Sequence, residues 1–189
     1  RAARKEVVDR VERRFGFRRG DWPWVGTIHS VAFKLLKMDP GQIMNGERWR
    51  DFAHLHGYHF TNLPSDRDEV EFEVLKFPRR TLDDDLRYLH GWGRNCRYTA
   101  DQSLARSPIL IASAGDFGMF VSRLAQFKHD RGLRDFADLL DEVLRLGLRP
   151  EADVGFLDEA QDLSPLQIAT VESWFSPCIR SYVAGDDDQ

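Results

Sequence analysis

The residues with the clearest chemical potential are two adjacent acids that follow a short apolar run. Asp158 and Glu159 come directly after residues 153–157, and Gln161 and Asp162 complete the pentapeptide DEAQD. A carboxylate fixed at the end of a buried strand is well placed to hold Mg²⁺ beside nucleotide phosphates, which is the role we expect for Asp158. Glu159 would then orient and deprotonate the attacking water, and Gln161 and Asp162 would tie the following loop to other parts of the site.

An acidic pair is by itself a weak signal, because helix capping or solvation explains most such pairs. The full pentapeptide after an apolar run is far more specific. At roughly one in twenty per position, it is expected by chance about once in ten thousand chains of this length. The pentapeptide therefore favours nucleotide hydrolysis over a structural role.

The elements around the pentapeptide form a predicted strand–helix–strand unit. Residues 153–157 and 180–184 have strand character, and Ser164 with Gln167 has the spacing of a capping box for a helix between them. Asp186 follows the second strand. Because the carboxyl ends of parallel strands meet at one edge of a sheet, we expect the two acidic segments to lie together in an α/β fold.

The rest of the chain is predicted to be largely helical. Apolar residues recur every four positions over residues 1–15, and Gly16 ends that helix. Residues 24–27 are predicted to be a short strand that leads into a helix at residues 29–38. Apolar spacing and capping signals predict further helices at 46–57, 68–77, 81–91, 116–128 and 133–146.

Several segments of the sequence resemble, in the same order, the motifs of one helicase family. FLDEAQDLSPLQ and VAGDDDQ resemble motifs II and III of UvrD/Rep/PcrA-like superfamily 1 DNA helicases. RAARKEVVDRV is similar to the latter part of motif Ia, VGTIHSVAFKLL is similar to the Thr-x-His-Ser segment after it, and the helix with DFADLL is typical of the family. The resemblance covers residues 1–37 and 117–189.

The resemblance implies a RecA-like parallel sheet of the P-loop NTPase type, interrupted by a mostly helical 1B-type insertion. Residues 1–38 would form the first part of the 1A core, residues 39–115 the insertion, and residues 116–189 the second part of the core, with Walker B and motif III. It also implies a 3′ to 5′ translocating helicase that uses ATP and Mg²⁺ and acts on single-stranded DNA.

The resemblance also assigns roles to residues in the acidic segments. It implies that Asp158 helps to hold Mg²⁺, that Glu159 is the catalytic base, and that Gln189 contacts the γ-phosphate and couples nucleotide state to DNA. The expected nucleotide-binding residues are Asp158, Gln161, Asp162, Asp186 and Gln189.

Three residues near the start of the chain are expected to contact DNA on the same grounds. Thr27 and His29 would touch the backbone of the single strand, and Arg1 lies where motif Ia approaches it. Ile28 replaces the Phe usual at that place, so no aromatic contribution is expected there. From the residues alone, a strand end with a helix N-cap is the favoured explanation of Thr27 and His29, and only their order relative to DEAQD favours a DNA contact.

Two features of the family are missing from the sequence. There is no G-x-x-x-x-G-K-[ST] segment, and none of the five lysines is followed by Ser or Thr. The sequence also ends at Gln189, before a second RecA-like domain. We therefore expect a piece of a longer helicase whose P-loop segment and second RecA-like domain belong to the same protein, and we expect the piece alone to be inactive.

Composition excludes several other classes of protein. The net charge of −4 hides a basic start, with eight basic and three acidic residues in positions 1–20, and an acidic end, with one basic and nine acidic residues in positions 150–189. This asymmetry favours a nucleotide or nucleic-acid system. No apolar run approaches the roughly 18 residues of a membrane span. The two distant cysteines, Cys96 and Cys178, suit a reducing cytoplasm.

Two alternative functions remain open at this level. One is a non-catalytic module that binds single-stranded DNA and has lost the motor, which the missing P-loop lysine supports. The other is a metal-dependent nuclease that uses Asp158, Glu159, Asp162 and Asp186, against which the intact DEAQD and GDDDQ argue.

Two further groups of residues are expected to have structural roles. Packing or solvent exposure is favoured over metal binding for the three histidines His54, His56 and His59. An aromatic core under arginine side chains is favoured over a grip on a nucleic-acid strand for Trp92, Arg94, Arg97 and Tyr98.

Overall fold

The computed structural model describes residues 12–14, 16, 21–61, 63, 81–109 and 113–186 of the chain. These ranges are mostly helical, with one small parallel sheet. The helices are α1 (Ile28–Leu35), α2 (Gly46–His56), α3 (Leu82–Asn95), α4 (Ala100–Ala105), α5 (Ala114–Arg131), α6 (Phe136–Leu146) and α7 (Pro165–Phe175), and the strands are β1 (Val154–Leu157) and β2 (Arg180–Val183). The predicted parallel sheet is therefore represented by two strands in the described part of the chain.

The strand–helix–strand unit that carries the acidic segments is confirmed. β1 and β2 are parallel, and their register pairs Val154 with Arg180 and Leu157 with Val183. The pairing continues past β2, because the backbone N–H of Ala184 donates to the carbonyl of Leu157 at 2.8 Å. Both strands therefore end at the same edge of the sheet.

α7 crosses between the strands with the predicted capping box at its start. The backbone N–H of Gln167 donates to Oγ of Ser164, and the backbone N–H of Ser164 donates to Oε1 of Gln167. The far end of α7 approaches β1 so closely that a Cβ on Gly155 would lie 2.6 Å from the ring of Phe175. Glycine in β1 is thus a requirement of this strand–helix contact.

Around this unit, α6 packs against both α1 and α7, and the three helices share an apolar core. The indole Nε1 of Trp174 donates to the carbonyl of Leu148, which fixes the end of α7 to the segment after α6. The buried members of this core are Val31, Ala32, Ala137, Leu139, Leu140, Val143, Leu166 and Trp174.

A second, aromatic-rich core lies among α2, α3 and α5. Phe52 is fully buried at its centre and contacts the rings of Tyr58, Phe120 and Phe127. The buried members of this core are Met44, Trp49, Phe52, Leu86, Leu89, Phe117, Phe120, Leu124, Phe127 and Leu133. The apolar face of α5, which we predicted to open the second part of the 1A core, packs here. The domain boundaries themselves stay a prediction.

The helix signals of the middle segment are confirmed where the structure describes them. α2 ends at Gly57, which has the left-handed φ of 75° that glycine adopts without strain. Thr81 and Asp84 form the capping box of α3, as their spacing predicts. The helices predicted at 116–128 and 133–146 are present as α5 and α6. The helix predicted at 68–77 lies outside the described residues.

The short strand predicted at residues 24–27 is wrong. Residues 23 and 24 form a turn, and the backbone N–H of Val25 donates back to the carbonyl of Trp22 at 3.4 Å instead of to a neighbouring strand. Apolar, β-favouring residues form a strand only where a partner satisfies their backbone groups, and within the described ranges β1 and β2 pair with each other alone. Thr27 is accordingly the N-cap of α1 and does not end a strand.

For the first predicted helix, the structure describes residues 12–14, which are helical, and Gly16. Gly16 has a φ of 70°, and its backbone N–H donates to the carbonyl of Glu12 at 3.0 Å. This is the geometry of a helix that ends at a glycine, as predicted. The other residues of that prediction lie outside the described ranges.

Candidate functional site

The acidic pair lies on a sharp bend directly after β1. Glu159 has φ 53° and ψ 44°, the left-handed conformation that is uncommon for a residue other than glycine. Oδ1 of Asp158 accepts the backbone N–H of Glu159 at 3.1 Å, which supports the bend. Strained conformations of this kind persist where surrounding contacts fix them, and they cluster at functional sites.

Gln161 supplies those contacts with both ends of its side chain. Its Nε2 donates to Oε2 of Glu159 at 2.7 Å, and its Oε1 accepts the backbone N–H of Asp186 at 3.0 Å. At the residue before Gln161, the backbone N–H of Ala160 donates to the carbonyl of Ala184 at 3.0 Å. The loop after β1 is therefore hydrogen-bonded to the segment after β2, and Glu159, Gln161 and Asp186 form one connected group.

The carboxylates of this loop face solvent and have no cationic partner in the described part of the chain. Asp158, Glu159 and Asp162 are all exposed, and the ion pairs of the described residues lie elsewhere. An unneutralised carboxylate is the ligand type that Mg²⁺ prefers, and this ion is ordinarily held by one or two carboxylates together with substrate phosphates. Among the described residues no cluster of three His, Cys, Asp or Glu side chains has the arrangement of a complete metal site. The exposed carboxylate of Asp158 is of this ligand type.

Thr27 and His29 lie at the start of α1. Oγ1 of Thr27 accepts the backbone N–H of Ser30 at 3.2 Å, so this hydroxyl caps the helix. The ring of His29 is half-buried and lies edge-to-face on Phe136 of α6, with centroids 5.1 Å apart. α6 packs in turn on α7, whose N-cap Ser164 follows the acidic loop by two residues. The helices α1, α6 and α7 therefore connect the two predicted sites through packed side chains.

Two residues of the predicted site, Arg1 and Gln189, lie outside the described residues.

The structure adds a buried ion network beside the site that the sequence analysis missed. Nζ of Lys128 lies 2.6 Å from carboxylate oxygens of both Asp135 and Asp138, and Nη2 of Arg94 pairs with Asp138 at 2.9 Å and Asp141 at 2.6 Å. Burial raises the pKa of Asp135, but Lys128 and Arg94 outweigh that effect and hold it below its ordinary value. The network joins α3, α5 and α6. No spacing in the sequence signals it, because its members are up to 47 positions apart.

The same end of α3 touches the loop after the pentapeptide. The hydroxyl of Ser164 donates to Oδ1 of Asn95 at 3.1 Å while it caps α7. Arg94, which the sequence groups with Trp92, Arg97 and Tyr98, is held by the carboxylates of α6. Trp92 and Tyr98 lie edge-to-face 5.5 Å apart, and Arg106 lies over the Tyr98 ring.

Comparison with known protein families gives one match that covers the whole chain. The family model described as UvrD/REP helicase N-terminal domain matches residues 1–189. A search of curated proteins gives no match. No helix within the described ranges is long and apolar enough to cross a membrane. The hydrogen-bonded acidic loop, the parallel strands that end beside it and the family match agree, and the chain belongs to the UvrD/REP helicase N-terminal domain family.

Proposed function

We propose that this chain is the Walker B and motif III part of an ATP-dependent DNA helicase that moves 3′ to 5′ along single-stranded DNA. The observation that carries the proposal is the hydrogen-bonded group in which Gln161 joins Glu159 to the backbone of Asp186. A nucleotide-hydrolysing site needs its base held in one geometry, and it needs a link from that base to the segment that responds to nucleotide state. The side chain of Gln161 makes both contacts, one to the carboxylate of Glu159 and one to the backbone of Asp186.

The proposed roles follow from charge and position. Asp158, an exposed carboxylate without a described cationic partner, would ligate Mg²⁺ together with the nucleotide phosphates. Mg²⁺, when bound, neutralises charge on the phosphates. Glu159 would accept a proton from the attacking water, and Gln161 would hold the Glu159 carboxylate in place. Asp162 would support the loop, Asp186 would lie at the nucleotide side of motif III, and Gln189 would contact the γ-phosphate.

The proposed DNA contact lies at the start of α1. The N-terminal turn of α1 carries the polar side chains of Thr27 and His29, and helix N-termini attract phosphate groups. Arg1 would add a charge to the same contact. His29 packs on Phe136 of α6. Movement of the bound DNA strand would therefore displace the helices that support the acidic loop.

A non-catalytic module that binds single-stranded DNA is the second candidate, and the polar start of α1 at Thr27 and His29 would serve it equally. A nuclease is not favoured, because the intact DEAQD and GDDDQ segments argue against it.

The two candidates are separated by ATP hydrolysis in a joined protein. In this joined protein, the chain lies between a P-loop segment and a second RecA-like domain taken from a family relative. We expect ATP hydrolysis that single-stranded DNA stimulates several-fold, and we expect Thr27→Ala/His29→Ala to lose the stimulation while basal hydrolysis remains. A joined protein that binds single-stranded DNA but hydrolyses no ATP would favour the non-catalytic module.

A further inference from the structure

Two arginines and a histidine lie close together where the end of α2 meets the last turns of α5. His56 is the final residue of α2, and its ring centroid is 6.5 Å from that of Phe127 on α5. The guanidinium carbon of Arg131 lies 4.1 Å from the centroid of the same Phe127 ring. Arg123 precedes Phe127 by four residues, so Arg123, Phe127 and Arg131 share one face of α5. We refer to His56, Arg123 and Arg131 as the basic patch.

The positive charge of the basic patch is not neutralised by the described carboxylates. Neither Arg123 nor Arg131 forms an ion pair within the described ranges. The acid next to Arg131 in sequence, Asp130, accepts a hydrogen bond from Gln126 at 2.6 Å. Burial lowers the pKa of His56, and the positive charges of Arg123 and Arg131 lower it further, so these cations lie close to the imidazole.

The architecture of the helices explains only part of the cluster. Arg131 lies in the last turn of α5, where a cation interacts favourably with the helix dipole and with the face of Phe127. Arg123 lies in the middle of α5, two turns earlier, where neither effect applies. By contrast, Arg94, which joins α3 to α6, and Arg134, which precedes α6, both have carboxylate partners at 3.0 Å or less. Arg123 and Arg131 differ from these structural arginines in lacking such a partner.

We propose that the basic patch binds the phosphodiester backbone of nucleic acid, as a second contact outside the turn that carries Thr27 and His29. Eight residues of α-helix span about 12 Å, so Arg123 and Arg131 are far enough apart to contact separate phosphates. Arg131 already covers the face of Phe127, so the patch offers charge and no open aromatic face for a base. A contact of this type positions the polymer and is independent of base sequence.

The proposal rests on the proposed function for the identity of the polymer, DNA, and it adds a contact on α2 and α5 that the helicase motifs do not include. Backbone phosphates occur in both single strands and duplexes, so the test needs both polymers. If the single strand alone is bound, the patch extends the track of the translocating strand. If the duplex is bound, the patch holds DNA ahead of the point of unwinding.

The test measures DNA binding by the full chain with fluorescence anisotropy over a range of salt concentrations. Labelled single-stranded and duplex oligonucleotides of one sequence are compared for the unmodified chain and for Arg123→Gln/Arg131→Gln. Each phosphate contact contributes about 0.7 to 0.9 to the slope of log affinity against log salt, so loss of two contacts should reduce the slope by roughly 1.5 for at least one polymer. Arg145→Gln/Arg149→Gln removes the same charge from exposed positions in the last turn of α6 and just after it, and should leave the slope unchanged.

Two further measurements keep the result independent of folding. Arg123→Lys/Arg131→Lys retains the charges and should retain most of the slope of log affinity against log salt. A thermal melt of each variant checks that its stability is unchanged. In the unmodified chain, the ring resonances of His56 should shift when either oligonucleotide is added, whereas those of the exposed His129 should not.

Equal slopes for the unmodified chain and Arg123→Gln/Arg131→Gln with both polymers, or unperturbed His56 resonances at saturating DNA, would overturn the assignment. The same result combined with loss of binding in Thr27→Ala/His29→Ala would leave the proposed function intact and reject the basic patch alone.

Discussion

Gln161 has both ends of its side chain occupied, and this double contact fixes the acidic loop. Its amide nitrogen holds the Glu159 carboxylate, and its amide oxygen holds the backbone of Asp186. The pentapeptide itself could be recognised from sequence because its residues are adjacent. The parallel pairing of the two strands also predicted that the acidic segments would meet, but it did not predict which groups would bond, and the hydrogen bond between Gln161 and Asp186 joins positions 25 apart.

Replacement of Gln161 by Ala should therefore impair hydrolysis more than nucleotide binding. In the joined protein we expect the rate of ATP hydrolysis to fall on the order of 10-fold, since a positioning contact to the base is lost while Asp158 and the phosphate contacts remain. Single-turnover hydrolysis and equilibrium binding of a labelled nucleotide give the two readouts. Gln126→Ala, which removes an exposed amide on α5, is the matched control. A Gln161→Ala variant with the rate of the Gln126→Ala variant would contradict the positioning role.

His90 makes the stability of the chain depend on pH. Its Nε2 is shielded from solvent, and burial, aided by Lys128 and Arg94 and opposed by Asp135 and Asp138, lowers the pKa of His90 to about 4 from an ordinary value of 6.5. The unfolded chain therefore takes up a proton between pH 6.5 and 4 that the folded chain does not. The stabilising effect of neutral His90 is present above pH 6.5 and is lost as the pH falls through that window.

The free energy of unfolding should fall by about 1.4 kcal/mol per pH unit from this residue across the window. Denaturant titrations at several pH values should show that the free energy of unfolding of His90→Gln falls less steeply as the pH is lowered. The difference in slope from the unmodified chain should be about that amount. His54→Gln, at an exposed position on α2, should keep the dependence of the unmodified chain. Parallel pH profiles for the unmodified chain and His90→Gln would show that His90 is not buried in its neutral form.

At the scale of elements, the helices were more predictable than the sheet. α2, α3 and α7 each begin with a capping residue whose side chain accepts the backbone N–H three positions later, so their signals are local. The segment at residues 24–27 has strand-like composition but no described partner, and a strand depends on a partner that local sequence does not reveal. The two strands that were predicted correctly, β1 and β2, are linked by a capped helix of ordinary length.

The contact between β1 and α7 predicts opposite effects for two glycine substitutions. Gly155→Ala places a Cβ 2.6 Å from the ring of Phe175, and overpacking of this kind costs roughly 1–3 kcal/mol. Gly118→Ala, at an exposed position in the second turn of α5, meets nothing within 4 Å and should stabilise the chain by about 0.5–1 kcal/mol. Chemical denaturation of both variants measures the difference. A neutral or stabilising Gly155→Ala would mean that β1 and α7 are not packed as described.

At the scale of the whole molecule, the chain carries the proposed base and metal ligand but no P-loop sequence. Phosphoryl transfer depends mainly on positioning and on neutralisation of charge by P-loop amides, its lysine and arginines. We therefore expect the 189-residue chain by itself to release no phosphate from Mg–ATP above the level of a buffer control. Robust turnover by the chain alone, retained after repurification and lost in Asp158→Ala, would show that it holds a complete site.

The most direct test of the account is ATP hydrolysis by the joined protein with Glu159→Gln. Glu159 is proposed as the general base, and loss of such a group typically lowers rates by 10²–10⁴-fold. We predict single-turnover hydrolysis reduced by at least about 100-fold in Glu159→Gln, with affinity for Mg–ATP retained, while Glu172→Gln on the exposed face of α7 behaves as the unmodified protein. Hydrolysis by Glu159→Gln at the rate of Glu172→Gln would contradict the assignment of the acidic loop as the catalytic centre.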